Sequence, residues 1–230
     1  MNKIFIEDIE TKDLNLKEDT VLVFDKYNDS INITAEHNIK IFALILFSKV
    51  NINYQTSFNT TFNIFTVDSS CIIDIDLNKD NILFNYNYST ININDNDYKI
   101  DIRHLNNNIT SKITNHGINT SNNRLSFTIN TIVPKNSNNI KTNQDSKIIV
   151  LRDNNCTIKP NLLIDNDDIE AEHAAYIGRF KDDEIFYLMT RGIKKDDAID
   201  LLVKSFLIEK MDITGEEKEL IIDNIKQYWR

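Results

Sequence analysis

The run from Cys156 to Phe206, CTIKPNLLIDNDDIEAEHAAYIGRFKDDEIFYLMTRGIKKDDAIDLLVKSF, changes its periodicity halfway along. Up to Ile169 it reads as short extended pieces with turn residues between them, the last turn being Asp165-Asn166-Asp167-Asp168. From Asp182 onward the apolar residues Ile185, Phe186, Leu188 and Met189 fall three and four apart, which is helical spacing. Gly192 predicts the end of that helix at a left-handed C-terminal cap. A second helix is predicted from about Lys195 to Met211, with Ile199, Leu202, Val203 and Phe206 on one side. His173 and Gly178 sit at the seam between the two regimes.

Outward on the N-terminal side, from Val21 to Ile169, the period is mostly two. Ile73-Asp-Ile75-Asp-Leu77, Phe84-Asn-Tyr86-Asn-Tyr88 and Leu125-Ser-Phe127-Thr-Ile129 are examples. Such alternation puts one face of each strand in a core and the other toward water. None of the four glycines lies before Gly117, so asparagine, the next most tolerant residue in left-handed backbone, is expected to make the turns. Many short strands leave a sandwich, a barrel or a solenoid, and periodicity does not choose among them. Residues 1–20 are polar and weakly patterned and read as an N-terminal arm. After Asp168 asparagine almost vanishes, and residues 181–230 read as a helical domain. Its last helix opens on Thr214-Gly-Glu-Glu217, a capping box, with Leu220, Ile221, Ile225 and Tyr228 at helical spacing behind it.

At 230 residues and 41% hydrophobic content the chain can bury a sizeable core. A net charge of -9 argues against nucleic acid or an anionic membrane as partner. The two cysteines, Cys71 and Cys156, match no zinc spacing and read as small core hydrophobes. Met1 to Asp8 has no basic region followed by an apolar run, and Ile41 to Phe47 is too short to span a bilayer. The expectation is a soluble, cytoplasmic protein. The sequence has no phosphate-binding G-x4-G-K-[ST] loop, no G-x-S-x-G and no H-E-x-x-H. It is expected not to be an enzyme.

The same central run resembles the C-terminal part of the SufB/SufD family of iron–sulfur cluster assembly proteins. The resemblance is carried by Lys159-Pro160 with Leu162 and Ile164, Glu172-His173-Ala174, Ile177-Gly178, Asp182-Asp183 ahead of Phe186-Tyr187-Leu188, and Arg191-Gly192-Ile193 followed by Ala198. His116-Gly117-Ile118 and the segment from Asn143-Gln144 to Leu151 match farther upstream, so coverage runs from about residue 110 to 211. The resemblance implies a right-handed parallel β-helix over residues 21–180, followed by the helical domain.

For function, the resemblance implies a SufD-like scaffold subunit. It would pair with a SufB-like chain, or with a second copy of itself, through the β-helix, and would dock the SufC ATPase on its C-terminal helices. His173 is the candidate iron- or cluster-handling residue, because a neutral imidazole is a good ligand for borderline metals. In an extended segment Glu170 and Glu172 share one face and His173 takes the other. Phe186, Tyr187, Arg191, Gly192, Ile193 and Phe206 are the SufC-docking candidates. No cofactor is expected to bind stably to this chain alone; a transient cluster would sit at the interface with SufB. SufB-like members carry a cysteine some fifteen residues before the proline matching Pro160, where this chain has Gln144-Asp145-Ser146. That departure favours a SufD-like over a SufB-like role. The alternatives are a homodimeric scaffold that binds the cluster itself, and a β-solenoid binding module unrelated to iron–sulfur assembly. His37, His104 and His116 are isolated; Arg103-His104 reads as a strand-end surface pair, and Asp74 and Asp76 as a solvated strand face.

Overall fold

The computed structural model describes residues 2–152 and 155–229. Fifteen strands run in order: β1 (Asn2–Phe5), β2 (Asp13–Leu16), β3 (Thr20–Asp25), β4 (Ser30–Ala35), β5 (Ile39–Leu46), β6 (Lys49–Thr56), β7 (Thr60–Val67), β8 (Ser70–Leu77), β9 (Leu83–Asn92), β10 (Asn96–His104), β11 (Thr110–Asn119), β12 (Arg124–Val133), β13 (Ile140–Val150), β14 (Asn155–Ile164) and β15 (Ile169–Gly178). Three helices follow, α1 (Asp182–Thr190), α2 (Lys195–Ile208) and α3 (Gly215–Tyr228). Every odd strand pairs in parallel with the next odd strand, and every even strand with the next even one. The chain therefore winds between an eight-stranded and a seven-stranded sheet, a parallel β-helix.

The alternating apolar residues of both sheets meet in one core, in which Tyr54, Phe62, Ile75, Tyr86, Ile100 and Phe127 are inaccessible to solvent. Tyr88 and Tyr98 stack at 3.9 Å between ring centroids inside it. The coils lengthen along the chain. Hydrogen-bonded residues on successive coils are 21 residues apart at Asn32 and Asn53, 24 at Asn63 and Asn87, and 31 at Asn130 and Asn161.

Turns stack as regularly as strands. Lys26, Phe47 and Asp68 form one column of left-handed residues, with φ of 53°, 49° and 47°, and Asn81, Asn108 and Asn139 a second, with φ of 62°, 56° and 53°. Asparagine thus supplies the left-handed backbone in the second column, as its tolerance for that region predicts. Its other use is between coils. Asn53 donates to Asn32 at 2.9 Å, and Asn32 to Asp13 at 2.7 Å. Asn161 donates to Asn130 at 2.8 Å, and Asn130 to Asp101 at 2.6 Å. These amide ladders tie neighbouring coils together on the outer face of the seven-stranded sheet.

One feature differs from the sequence reading. The polar arm expected over residues 1–20 contains β1 and β2, which are the first coil; Ile6 and Leu16 are 2% exposed and close the N-terminal end of the core. The C-terminal helices pack against the solenoid. Val203 and Leu207 of α2, Met211, and Ile221 and Ile225 of α3 lie on Val23, Phe42, Leu44, Phe65, Val67, Ile91 and Ile118, the outer face of the eight-stranded sheet. The apolar residues on that face of β3, β5 and β7 break strict alternation, because both faces of those strands are covered.

Polar contacts fix the helices in place. Ser89 Oγ donates to the carbonyl of Leu207 at 2.8 Å, His116 Nδ1 to that of Phe206 at 2.7 Å, and Asn63 Nδ2 to that of Asp212 at 2.9 Å. The first two satisfy carbonyls in the last turn of α2, which have no intrahelical partner. The Thr214 N–H donates to the buried Glu217 carboxylate, one half of the predicted capping box of α3. Among the described residues no helix is long and apolar enough to cross a membrane.

Candidate functional site

The C-terminal end of the solenoid is open. β14 and β15 are the outermost strands of their sheets, and no residue of either is fully buried. The inner-face residues Cys156, Ile158 and Ile164 of β14, and Ile169 and Ile177 of β15, are half-buried on the core below. His173 belongs to the same inner row. It pairs with Gln144 of β13, which is fully buried, whereas Glu170 and Glu172 pair with Lys141 and Asn143 on the outer face. Both carboxylates are engaged there: Lys141 Nζ lies 2.9 Å from Glu170, and Asn143 donates to Glu172 at 3.2 Å. The histidine and its flanking carboxylates thus point to opposite faces, as the extended reading requires. His173 itself is exposed.

Below this end the core turns polar, which the sequence reading missed. His104 Nε2 is 2.8 Å from Ser111 Oγ, which donates to Thr142 at 2.8 Å. Tyr98 donates to Asn115 at 3.0 Å, and Asn115 to Ser146 at 3.1 Å. Gln144 Nε2 reaches Thr131 Oγ1 at 2.5 Å and the carbonyl of Asn161 at 3.3 Å. His104, expected at the surface, is inaccessible to solvent, and burial pushes its pKa down to about 4. Its place in the alternation after Ile100 and Ile102 carries the inward signal. Arg103 is the partner that faces out, bonded to Asp74 and Asp76 at 2.5 and 2.8 Å.

The two thiols differ. Cys71 is buried, and desolvation pushes its pKa up to about 12. Cys156 is half-buried near the open end and accepts a hydrogen bond from Asn119 at 3.2 Å; burial raises its pKa too. Among the described residues no three His, Cys, Asp or Glu side chains come together as a metal cage. His173 belongs to no such group.

The docking candidates divide. Phe186 is 67% and Tyr187 57% exposed, on a helix with no buried residue. Arg191 lies over the Tyr187 ring at 5.2 Å. Gly192 has φ of 85°, its N–H bonding the carbonyl of Met189, while the N–H of Ile193 bonds that of Leu188. This is a Schellman end, which turns the chain out of α1 and leaves Ile193 half-buried. Phe206 faces the other way. Its ring stacks on His116 at 4.2 Å and meets Phe180 edge-on at 6.2 Å, so it belongs to the packing of α2 on the sheet.

A family model described as "SUF system FeS cluster assembly, SufBD core domain" matches residues 60–206, more than half of the chain. The chain belongs to the SufB/SufD family. The matched region runs from β7 into the last turn of α2, so it includes the open end with His173, the polar core beneath it and helix α1. The iron-sulfur cluster assembly protein SufD of Bacillus subtilis is 38% identical over 82 residues, 34% of this chain and 19% of that protein. The SufD protein of Escherichia coli is 37% identical over 71 residues, 30% of this chain and 17% of that protein. A SufBD family protein of Porphyra purpurea is 26% identical over 104 residues, 45% of this chain and 21% of that protein. The matched stretches thus span about a fifth of the length of these relatives.

Proposed function

We propose that this chain is a SufD-like, non-catalytic scaffold subunit of the SUF iron–sulfur assembly machinery. It pairs with a SufB-like chain through the open end of its β-helix and holds a SufC ATPase on helix α1. The observation that carries the pairing is that end itself. β14 and β15 are edge strands with unpaired backbone groups, Leu163 and Tyr176 are about half-exposed on them, and the inner row stops uncovered at His173. An uncovered strand edge over a half-buried core is a template for pairing with another chain.

His173 would supply one nitrogen ligand to an iron or a nascent cluster held between the two chains. Because it belongs to no group of three or more ligand-type side chains among the described residues, it fits a shared site better than a self-contained one. Two of the relatives are named SufD, which agrees with Gln144-Asp145-Ser146 standing where a SufB-like chain would carry cysteine. Phe186, Tyr187 and Arg191 on α1 would meet SufC, since exposed aromatics and arginine are common interface anchors.

The test is co-expression with SufB and SufC chains, followed by affinity capture and mass determination of the intact complex. One copy of this chain beside one SufB and two SufC is the expected result. Capture of SufC with a homodimer of this chain, and no SufB, would overturn the SufD assignment. In the complex, His173→Ala is expected to leave assembly of the subunits intact and to lower the rate of cluster formation. An unchanged rate would remove His173 from the mechanism.

A further inference from the structure

Among the described residues two buried side-chain polar atoms lack a partner, His116 Nε2 and Gln144 Oε1. The second lies one strand from His173. Gln144 is inaccessible to solvent, and its amide nitrogen reaches across the core to Thr131 Oγ1 and the Asn161 carbonyl, on β12 and β14 of the opposite sheet. Those bonds fix the amide. Turning it over would set its oxygen against the Asn161 carbonyl, two acceptors facing each other. The unpaired atom is therefore an acceptor that calls for an N–H or O–H.

The register limits what can supply it. Along the inner row Gln144 pairs with Ile113 on β11 and with His173 on β15. Ile113 has no polar side-chain atom. His173 is the next side chain outward, about 4.8 Å away at the usual strand spacing, and a neutral imidazole carries one N–H. It is also the last residue of the row, with the open end beyond it.

We propose that Gln144 is the positioning residue for His173. Its Oε1 accepts the imidazole N–H, which fixes one neutral tautomer and presents the other nitrogen, with its lone pair, out of the end of the solenoid. Metal-binding histidines are oriented in this way by a carbonyl or carboxylate behind them, and removing that partner typically costs 10–100-fold in affinity. The iron-facing half rests on the reading of His173 as a ligand; the hydrogen bond itself does not.

The experiment is nitrogen-15 NMR of the histidine-labelled chain at pH 8, with His173 assigned by difference from His173→Gln among the four histidines. The expected wild-type spectrum shows His173 in one tautomer. Gln144→Leu is expected to relax it to the mixture of a free imidazole, and Gln144→Glu, which keeps an acceptor, to retain the preference. A mixed tautomer in the wild type, or an unchanged preference in a folded Gln144→Leu, overturns the proposal. If the leucine variant does not fold, the wild-type and glutamate spectra decide. Titration with cobalt(II) then tests the outward nitrogen, with about a tenfold weaker affinity expected in Gln144→Leu. A tautomer that follows Gln144 without any cobalt binding at His173 upholds the hydrogen bond and overturns the reading of His173 as a ligand.

Discussion

His116 and Phe206 are 90 residues apart in the chain and are joined twice. The imidazole Nδ1 donates to the Phe206 carbonyl at 2.7 Å, and the two rings stack at 4.2 Å with planes 10° apart. Burial holds the imidazole pKa below its ordinary value, against the hydrogen bond to the Phe206 carbonyl, which raises it. His116→Ala removes the stack and leaves a carbonyl in the last turn of α2 without its donor. The expected loss is about 2–4 kcal/mol of stability, from an aromatic pair and a buried hydrogen-bonding group. Urea unfolding measures it, and hydrogen exchange should show the loss concentrated in Val203 to Met211. Uniform exchange along the solenoid would mean that the pair does not anchor the helix.

Acid should weaken the fold through His104. Its folded-state pKa, near 4, lies below the unfolded value of about 6.5. Above pH 7 the residue is neutral in both states and contributes no pH dependence. As the pH falls through 6.5 the unfolded chain takes up a proton that the buried ring refuses, so stability drops until the folded pKa is reached. Two and a half pH units correspond to about 3 kcal/mol at most. His116, also depressed, adds to the same slope. His104→Gln can still reach Ser111 and is expected to flatten the loss between pH 6.5 and 4.5, read from urea midpoints. An equally steep loss in that variant would assign the slope elsewhere.

The sheet pattern and helix ends were readable because they obey local rules. Asp74 and Asp76 alternate with buried isoleucines, Gly192 takes the left-handed cap, and Glu217 caps α3. The solenoid was not readable from periodicity, since its coils grow from 21 to 31 residues and leave no fixed repeat to detect. Nor was the packing of α2 and α3 on the sheet. Phe42, Leu44 and Phe65 look like ordinary interior residues until both sides of their strands are seen to be covered. At the candidate site, the face of His173 followed from alternation. The polar layer beneath it depends on which strand lies next in space, and no spacing in the sequence states that.

Gly117 should not accept a side chain. It lies on the inner face of β11, where an added Cβ would sit 2.9 Å from Leu125 Cδ2 and 2.9 Å from Phe127 Cζ. Gly117→Ala is expected to cost about 1–3 kcal/mol, the usual penalty for overfilling a packed core. The cause is checked by a double-mutant cycle with Leu125→Val, which trims one of the two colliding side chains. The two changes should couple favourably. Simple additivity would place the cost in the backbone rather than in the clash.

Cutting the chain after Phe180 looks like a clean way to remove the C-terminal helices, and the structure argues that it is not. The helices cover Val23, Phe42, Leu44, Phe65, Val67, Ile91 and Ile118, so the cut exposes a continuous apolar sheet face. Patches of that kind drive aggregation. The truncated chain is therefore expected to be insoluble, and its failure to bind SufC would carry no information about α1. Phe186→Ser with Tyr187→Ser is the better probe, because both side chains are more than half exposed on a helix with no buried residue. The double variant should melt within a few degrees of the wild type. If α1 is the docking surface, it should also bind SufC at least tenfold more weakly, since paired aromatic anchors each cost upward of about 1 kcal/mol when truncated. Unchanged SufC affinity in a folded double variant would move the docking surface off α1, toward the remaining exposed side of α2 around Leu201.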